Sequence, residues 1–310
     1  MGEQSSKIGK VLEDFAKNTL PLFDWKVLAE NKEIKCTRAS HQKRTHGIDL
    51  LCQYYNPYKK NNQSVIVECK NRQMQSITAS SISEWVNELI KNIECSQSSP
   101  DLQDLNISDS SFNSGLLLVH ANDNFDKTKF YTYLKKVTVP TRRNPINIFI
   151  AGNDRINQWI YTYEETKQYD DFKVIYPSIN QISMSKQTVS SLDILFSKYF
   201  FAECREDEKT ECENETTIKR KLVSMMFYFD DISIDNFRYA WSMFKFYQRQ
   251  FSDKYIFVFY PREEKDIAFI NEHFVNTVQR VENDKKEALK VEIKIIKNRE
   301  LSSINYGGSI

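Results

Sequence analysis

The chain has 310 residues, of which 40% are hydrophobic, 13% aromatic and 27% charged, with a formal net charge of +1. That length suffices for one large or two ordinary domains, and the near-neutral balance excludes a uniformly basic nucleic-acid binder. No run of about 18 apolar residues is present, which excludes a membrane-spanning helix, and the opening MGEQSSKIGK lacks the apolar core of a signal peptide.

In chain order, Lys7 to Asn18 has apolar residues at helical spacing (Ile8, Val11, Leu12, Phe15, Ala16), with Pro21 as its stop. Trp25 to Thr37 reads as a strand or hairpin. Two strands follow, through Ile48-Asp49-Leu50-Leu51 and Val65-Ile66-Val67-Glu68-Cys69-Lys70, joined across the turn-forming segment NPYKKNNQ at Asn56 to Gln63. Ser80 is positioned to cap a helix reaching Cys95. Ser96 to Ser114 is polar and loop-like. Leu116 to Val119 is a buried strand, Lys127 to Val137 a helix and Ile146 to Ala151 a strand. Residues 156–200 read as helical and connecting, and the acid-rich stretch Glu203 to Glu215 as a linker. Beyond it, Leu222 to Phe229, Asp235 to Gln250, Tyr255 to Tyr260, Glu263 to Val281 and Ala288 to Ile296 alternate strand and helix, a βαβαβ order. The expected division is therefore a domain over 1–155, a helical connector and acidic linker over 156–215, and a small α/β domain over 216–310. That last part has neither a Gly-x-Gly-x-x-Gly nor a Walker loop, so nucleotide binding is not expected.

Alternation along a strand puts Ile66, Glu68 and Lys70 on one face and Val65, Val67 and Cys69 on the other. Folding the hairpin near Tyr58 and Lys59 sets Asp49 opposite Glu68. Two carboxylates and an ammonium then converge, an arrangement that is costly unless a cation or a substrate phosphate completes it.

The pair Gly47-Ile48-Asp49 and Glu68-Cys69-Lys70, after a helix bearing Glu13, resembles the PD-(D/E)XK nuclease superfamily, with spacing closest to its Mrr-like branch. The resemblance covers about the first half of the chain. It implies a restriction-endonuclease-like mixed sheet flanked by helices, and metal-dependent hydrolysis of DNA phosphodiester bonds. Asp49 and Glu68 would hold Mg²⁺, or Mn²⁺ in its place. The main-chain carbonyl of Cys69 would add a ligand, Glu13 would serve a second metal or hold a ligand water, and Lys70 would orient water or stabilise charge. It also implies restriction or anti-phage defence. A non-catalytic binding subunit on the same scaffold, and a repair or RNA-directed nuclease, are the other readings.

Between Glu30 and Gln75 nine basic residues face four acids, 9 − 4 = +5. Lys43, Arg44, Lys59, Lys60 and Arg72 are the expected phosphate contacts, with Arg142-Arg143 as a further basic pair. The aromatic stripe from Phe237 to Tyr247 is expected in the core and at a docking surface. Homo-oligomerisation, or a partner such as a separate ATPase or sensor, is expected of the C-terminal part. Six cysteines without a Cys-x-x-Cys pair fit a reduced, cytoplasmic protein. His41 and His46 lie five apart, but no Cys or His pair nearby completes a set, so zinc is not expected.

Overall fold

The computed structural model describes residues 2–105, 107, 112–142, 144–176, 190–212, 215–247, 252–261, 263–282 and 291–296. The chain forms two compact units that divide at Ile160/Tyr161.

The first unit opens with α1 (Gly2–Thr19), which a 3-10 turn at Leu20–Phe23 ends as Pro21 requires. Strands β1 (Lys26–Lys35), β2 (Thr45–Asn56) and β3 (Asn61–Arg72) follow. Helix α2 (Ala79–Ser96) is capped by Thr78, not Ser80. The Thr78 hydroxyl accepts from the Ser81 N–H at 3.1 Å, and the Ser81 hydroxyl accepts from the Thr78 N–H at 2.8 Å. This reciprocal box satisfies two otherwise orphaned donors. Then come β4 (Phe112–Ala121), α3 (Lys127–Leu134), β5 (Asn147–Ala151) and α4 (Asn153–Thr166), which crosses the division.

The five strands stand in chain order, with β1/β2 and β2/β3 antiparallel and β3/β4 and β4/β5 parallel. α2 lies over a core built from Ile66, Leu117 and Val119 on the sheet and Ile82, Val86, Leu89 and Ile93 on the helix. Gly115 on β4 lets that helix approach: a Cβ there would stand 2.8 Å from Leu89 Cδ2 and 3.0 Å from Ile93 Cδ1. α1 packs on β3, whose Val65 and Val67 are fully buried.

The second unit holds β6 (Asp170–Ile175), α5 (Ser191–Leu195), β7 (Tyr199–Cys212), β8 (Glu215–Tyr228), α6 (Ile234–Tyr247), β9 (Lys254–Phe259), α7 (Glu264–Glu282) and β10 (Val291–Ile295). The βαβαβ run from β8 onward matches the sequence pattern. The helical connector and acidic linker expected over 156–215 do not. β6 and β7 occupy much of that stretch, and β7 pairs with β8 along its whole length. The reason lies in the partner strand. Glu206, Asp207 and Glu208 stand opposite Lys221, Arg220 and Lys219, so an acidic run that would repel itself as a linker becomes one side of a charge-matched ladder. Arg220 Nε lies 3.5 Å from Asp207 Oδ1, and Lys254 Nζ 3.1 Å from Glu206 Oε2.

Strands β6 to β10 also stand in chain order, antiparallel, antiparallel, parallel, parallel. The second sheet thus repeats the strand order and directions of the first. Its core is aromatic: Phe237, Trp241 and Phe244 of α6 pack with Tyr228, Phe257, Phe259 and Phe274. Tyr239 of the same stripe is 53% exposed.

Candidate active site

The site lies where β2 and β3 part. Their ladder runs from Asn56↔Asn61 back to Leu50↔Val67. At the next position, β2 remains paired with β1 through Ile48↔Lys32, and β3 with β4 through Glu68↔Leu117 and Lys70↔Val119. Asp49 fills the opening between them. Its Oδ2 accepts the Cys69 N–H at 2.7 Å, in place of a ladder bond. The N–H and C=O of one strand residue point to the same edge, so the Cys69 carbonyl faces the same gap.

Glu68 is 8% exposed. One of its oxygens accepts from Lys70 Nζ in a close ion pair; the other, Oε2, is buried without a partner. Burial, and then the adjacent Asp49 charge, push Glu68 up to about 7. Burial raises Asp49 as well, against the Cys69 N–H and Lys70, which favour its charged form. Glu13 on α1 is raised by burial and then by Asp49, which places it beside the same cluster. The structure therefore brings Asp49, Glu68, Lys70, the Cys69 backbone and Glu13 together. The Cys69 thiol is buried, and burial raises it well above its ordinary range, so it is inert.

An all-oxygen donor set of the buried Glu68 carboxylate, the partly buried Asp49 carboxylate, one main-chain carbonyl and a third carboxylate fits a hard divalent cation. The orphaned Glu68 Oε2 is the atom such an ion would satisfy.

The expected phosphate contacts are dispersed. Arg72 ends β3, two residues beyond Lys70, with Nη1 donating to the Asn71 carbonyl at 3.1 Å. Lys43 and Arg44 precede β2, and Lys43 is in an ion pair with Glu88 of α2. Lys59 and Lys60 sit in the hairpin turn, with Lys59 Nζ donating to Gln63 Oε1 at 3.0 Å. Seven residues of extended strand, about 24 Å, separate that turn from Asp49. The basic residues do not form one patch around the carboxylates, because the two pairs lie off opposite ends of β2. Arg142 Nε is bonded to Glu94 Oε1 at 2.9 Å, and Arg143 lies outside the described residues. Glu88 was not legible as part of this neighbourhood. Its charge reaches Glu68 from α2, and no sequence spacing links a helix position to a strand 20 residues before it.

The family described as the GAPS4 protein PD-(D/E)XK nuclease domain matches residues 1–155. The chain belongs to this family. Its N-terminal unit is a PD-(D/E)XK nuclease domain, and a nucleic acid is its class of substrate. No curated protein matches the chain. The second sheet repeats the nuclease unit's strand plan with different contents: Phe201 of β7 and Met226 and Tyr228 of β8 are buried in its aromatic core.

Proposed function

We propose that the chain is a metal-dependent endonuclease that hydrolyses DNA phosphodiester bonds in defence against invading DNA, with Asp49, Glu68 and Lys70 as its catalytic residues. The observation that carries this reading is the gap between β2 and β3, where Asp49 caps the Cys69 N–H and Glu68 keeps one buried oxygen unpaired beside Lys70. Asp49, Glu68 and the Cys69 carbonyl would hold Mg²⁺ or Mn²⁺, with Glu13 supporting it. When bound, the ion supplies a lowered water pKa and a positive charge at the scissile phosphate. Lys70, already tied to Glu68, is placed to orient the attacking water and to favour developing negative charge. Arg72, at the open end of β3, is the basic side chain best placed to hold a flanking phosphate. The DNA target and the defence role rest on the family resemblance.

The second unit would serve oligomerisation or a partner such as a sensor or a separate ATPase. Among the described residues no helix is long and apolar enough to cross a membrane. That fits a protein working on cytoplasmic DNA.

The test is incubation of purified protein with plasmid, linear duplex, single-stranded DNA and RNA, each with Mg²⁺, with Mn²⁺ and with neither. Cleavage of DNA only when a divalent ion is present is expected. Cleavage of RNA alone, or equal cleavage without added ion after chelation, would refute the proposal.

A further inference from the structure

The loop from β1 to β2 and the end of α2 bring four side chains together away from the carboxylates. Cys36 follows β1, His41 sits in a 3-10 turn at Ala39–His41, His46 is the second residue of β2 and Cys95 lies in the last turn of α2. One ligand atom of each falls within 4.8 Å of the others. The two sulfurs are 3.6 Å apart, and His41 Nδ1 lies 3.7 Å from the Cys36 sulfur and 3.3 Å from the Cys95 sulfur.

These separations match a tetrahedron around one ion. Zn–S bonds of about 2.3 Å and Zn–N bonds of about 2.05 Å at tetrahedral angles imply S···S near 3.8 Å and S···N near 3.6 Å. A disulfide is excluded at the observed separation, since its sulfurs would lie about 2.05 Å apart.

Two further observations point to a missing cation. His46 is 2% exposed, and neither of its ring nitrogens has a hydrogen-bond partner. Asn92 lies beside the ring, and its Nδ2 donates to the Gly47 carbonyl at 2.9 Å. A buried imidazole with both nitrogens idle is expensive unless one of them binds something. His41, meanwhile, is oriented as a ligand is. Its Nε2 lies 3.0 Å from Glu94 Oε2, leaving Nδ1 toward the two sulfurs. A carboxylate behind a histidine fixes the tautomer that a metal needs. Arg142 Nε, 2.9 Å from Glu94 Oε1, holds that carboxylate in turn.

We propose that Cys36, His41, His46 and Cys95 hold a structural Zn²⁺ ion. Two thiolates, two neutral imidazoles and one dication sum to zero charge, which suits a buried place, and binding releases the two thiol protons. All four positions are taken by protein, as in closed structural sites, so no place is left for a reacting water. The ion clasps the β1–β2 connection to the end of α2. It fixes β2 at His46, three residues before Asp49, and so helps hold the strand that carries the cleavage centre. The sequence did not show the site because its fourth ligand lies 49 residues beyond the third, and only the fold brings α2 back.

Zinc content by plasma mass spectrometry, on full-length protein purified without added metal, tests this. Wild type should carry about one zinc per chain. Asp49→Ala should carry the same, which separates the clasp from the cleavage centre. Cys36→Ser and Cys95→Ser should fall to near zero. Because those variants can misfold, the wild type provides two further readouts. Capping its thiols with a mercurial should release the zinc, and cobalt exchanged into the site should show the visible bands of a tetrahedral ion with thiolate charge transfer. Glu94→Gln should keep the site while weakening zinc about 10–100-fold. Wild type without stoichiometric zinc and without those cobalt bands would overturn the proposal. So would zinc that persists after both thiols are capped, or that is lost with Asp49→Ala.

Discussion

Glu68→Gln should stabilise the protein in magnesium-free buffer while removing cleavage. Native Glu68 holds its proton up to about pH 7, because it is buried beside Asp49, whereas in the unfolded chain it releases it near its ordinary value of 4.5. Between those values the native state binds more protons than the unfolded state, so stability falls as pH rises through the window, and the deficit is complete above it. Two and a half pKa units correspond to about 3 kcal/mol. Glutamine mimics the neutral carboxyl and removes that deficit, which already includes the favourable Lys70 contact to the charged form. A gain of up to about 3 kcal/mol at pH 8 results, or about 6–12 °C in melting temperature for a unit of this size. At pH 4.5 or below the wild-type carboxyl is largely neutral, and the gain should vanish or reverse. Thermal melts of both proteins at the two pH values, without chelator so that the clasp is undisturbed, provide the assay. Adding Mg²⁺ should then raise the wild type alone, since only it retains the ligand. Equal melting at pH 8, or the same deficit in Glu68→Gln at both pH values, would refute the reasoning.

Asp49→Ala and Lys70→Ala should each lower cleavage at least about 100-fold with the circular dichroism spectrum unchanged; a variant cutting at the wild-type rate would remove that residue from the site. Cys69→Ser should retain cleavage and lose about 1 kcal/mol in urea titration, because only its backbone faces the gap; a folded but inactive Cys69→Ser would show the strand face to be misassigned. Arg72→Glu should weaken DNA binding and reduce the salt slope by about one, whereas reversing Lys59 and Lys60 together should change neither, which binding isotherms at several salt concentrations will show. His120 is driven down to about 4 by burial, with Nδ1 3.0 Å from Asn71 Oδ1. It should therefore cost stability as pH falls from about 6.5 to 4, opposite in sign to Glu68, by up to about 3 kcal/mol; His120→Gln should flatten that limb of the urea midpoint against pH.

The proposed cleavage centre was legible because it is local. Asp49 and Glu68 sit on adjacent strands of one hairpin, and strand alternation alone puts Glu68 and Lys70 on one side. Long apolar periodicity likewise disclosed α1, α2, β4 and the run from β8 to β10. What escaped depended on distant partners. β7 looked like a linker because its acids are matched only once the sheet forms, by Lys219, Arg220 and Lys221 of β8 and Lys254 of β9. A cut within 203–215 would therefore sever a sheet. The zinc clasp escaped for a similar reason, since Cys95 reaches His41 and His46 only once α2 has folded back over the sheet. The basic residues misled in the opposite direction. Lys43, Arg44, Lys59 and Lys60 are near the carboxylates in sequence, but strand β2 holds the two pairs apart.

Equilibrium Mn²⁺ binding, followed by electron paramagnetic resonance on wild type and on Asp49→Ala, tests the central claim most directly, because it reports the site whether or not a partner is needed for cutting. Wild type should bind Mn²⁺ in competition with Mg²⁺, and Asp49→Ala should bind it at least about 10-fold more weakly while keeping its zinc. Undiminished Mn²⁺ binding in folded Asp49→Ala would contradict the assignment of the gap between β2 and β3 as the metal site of the nuclease.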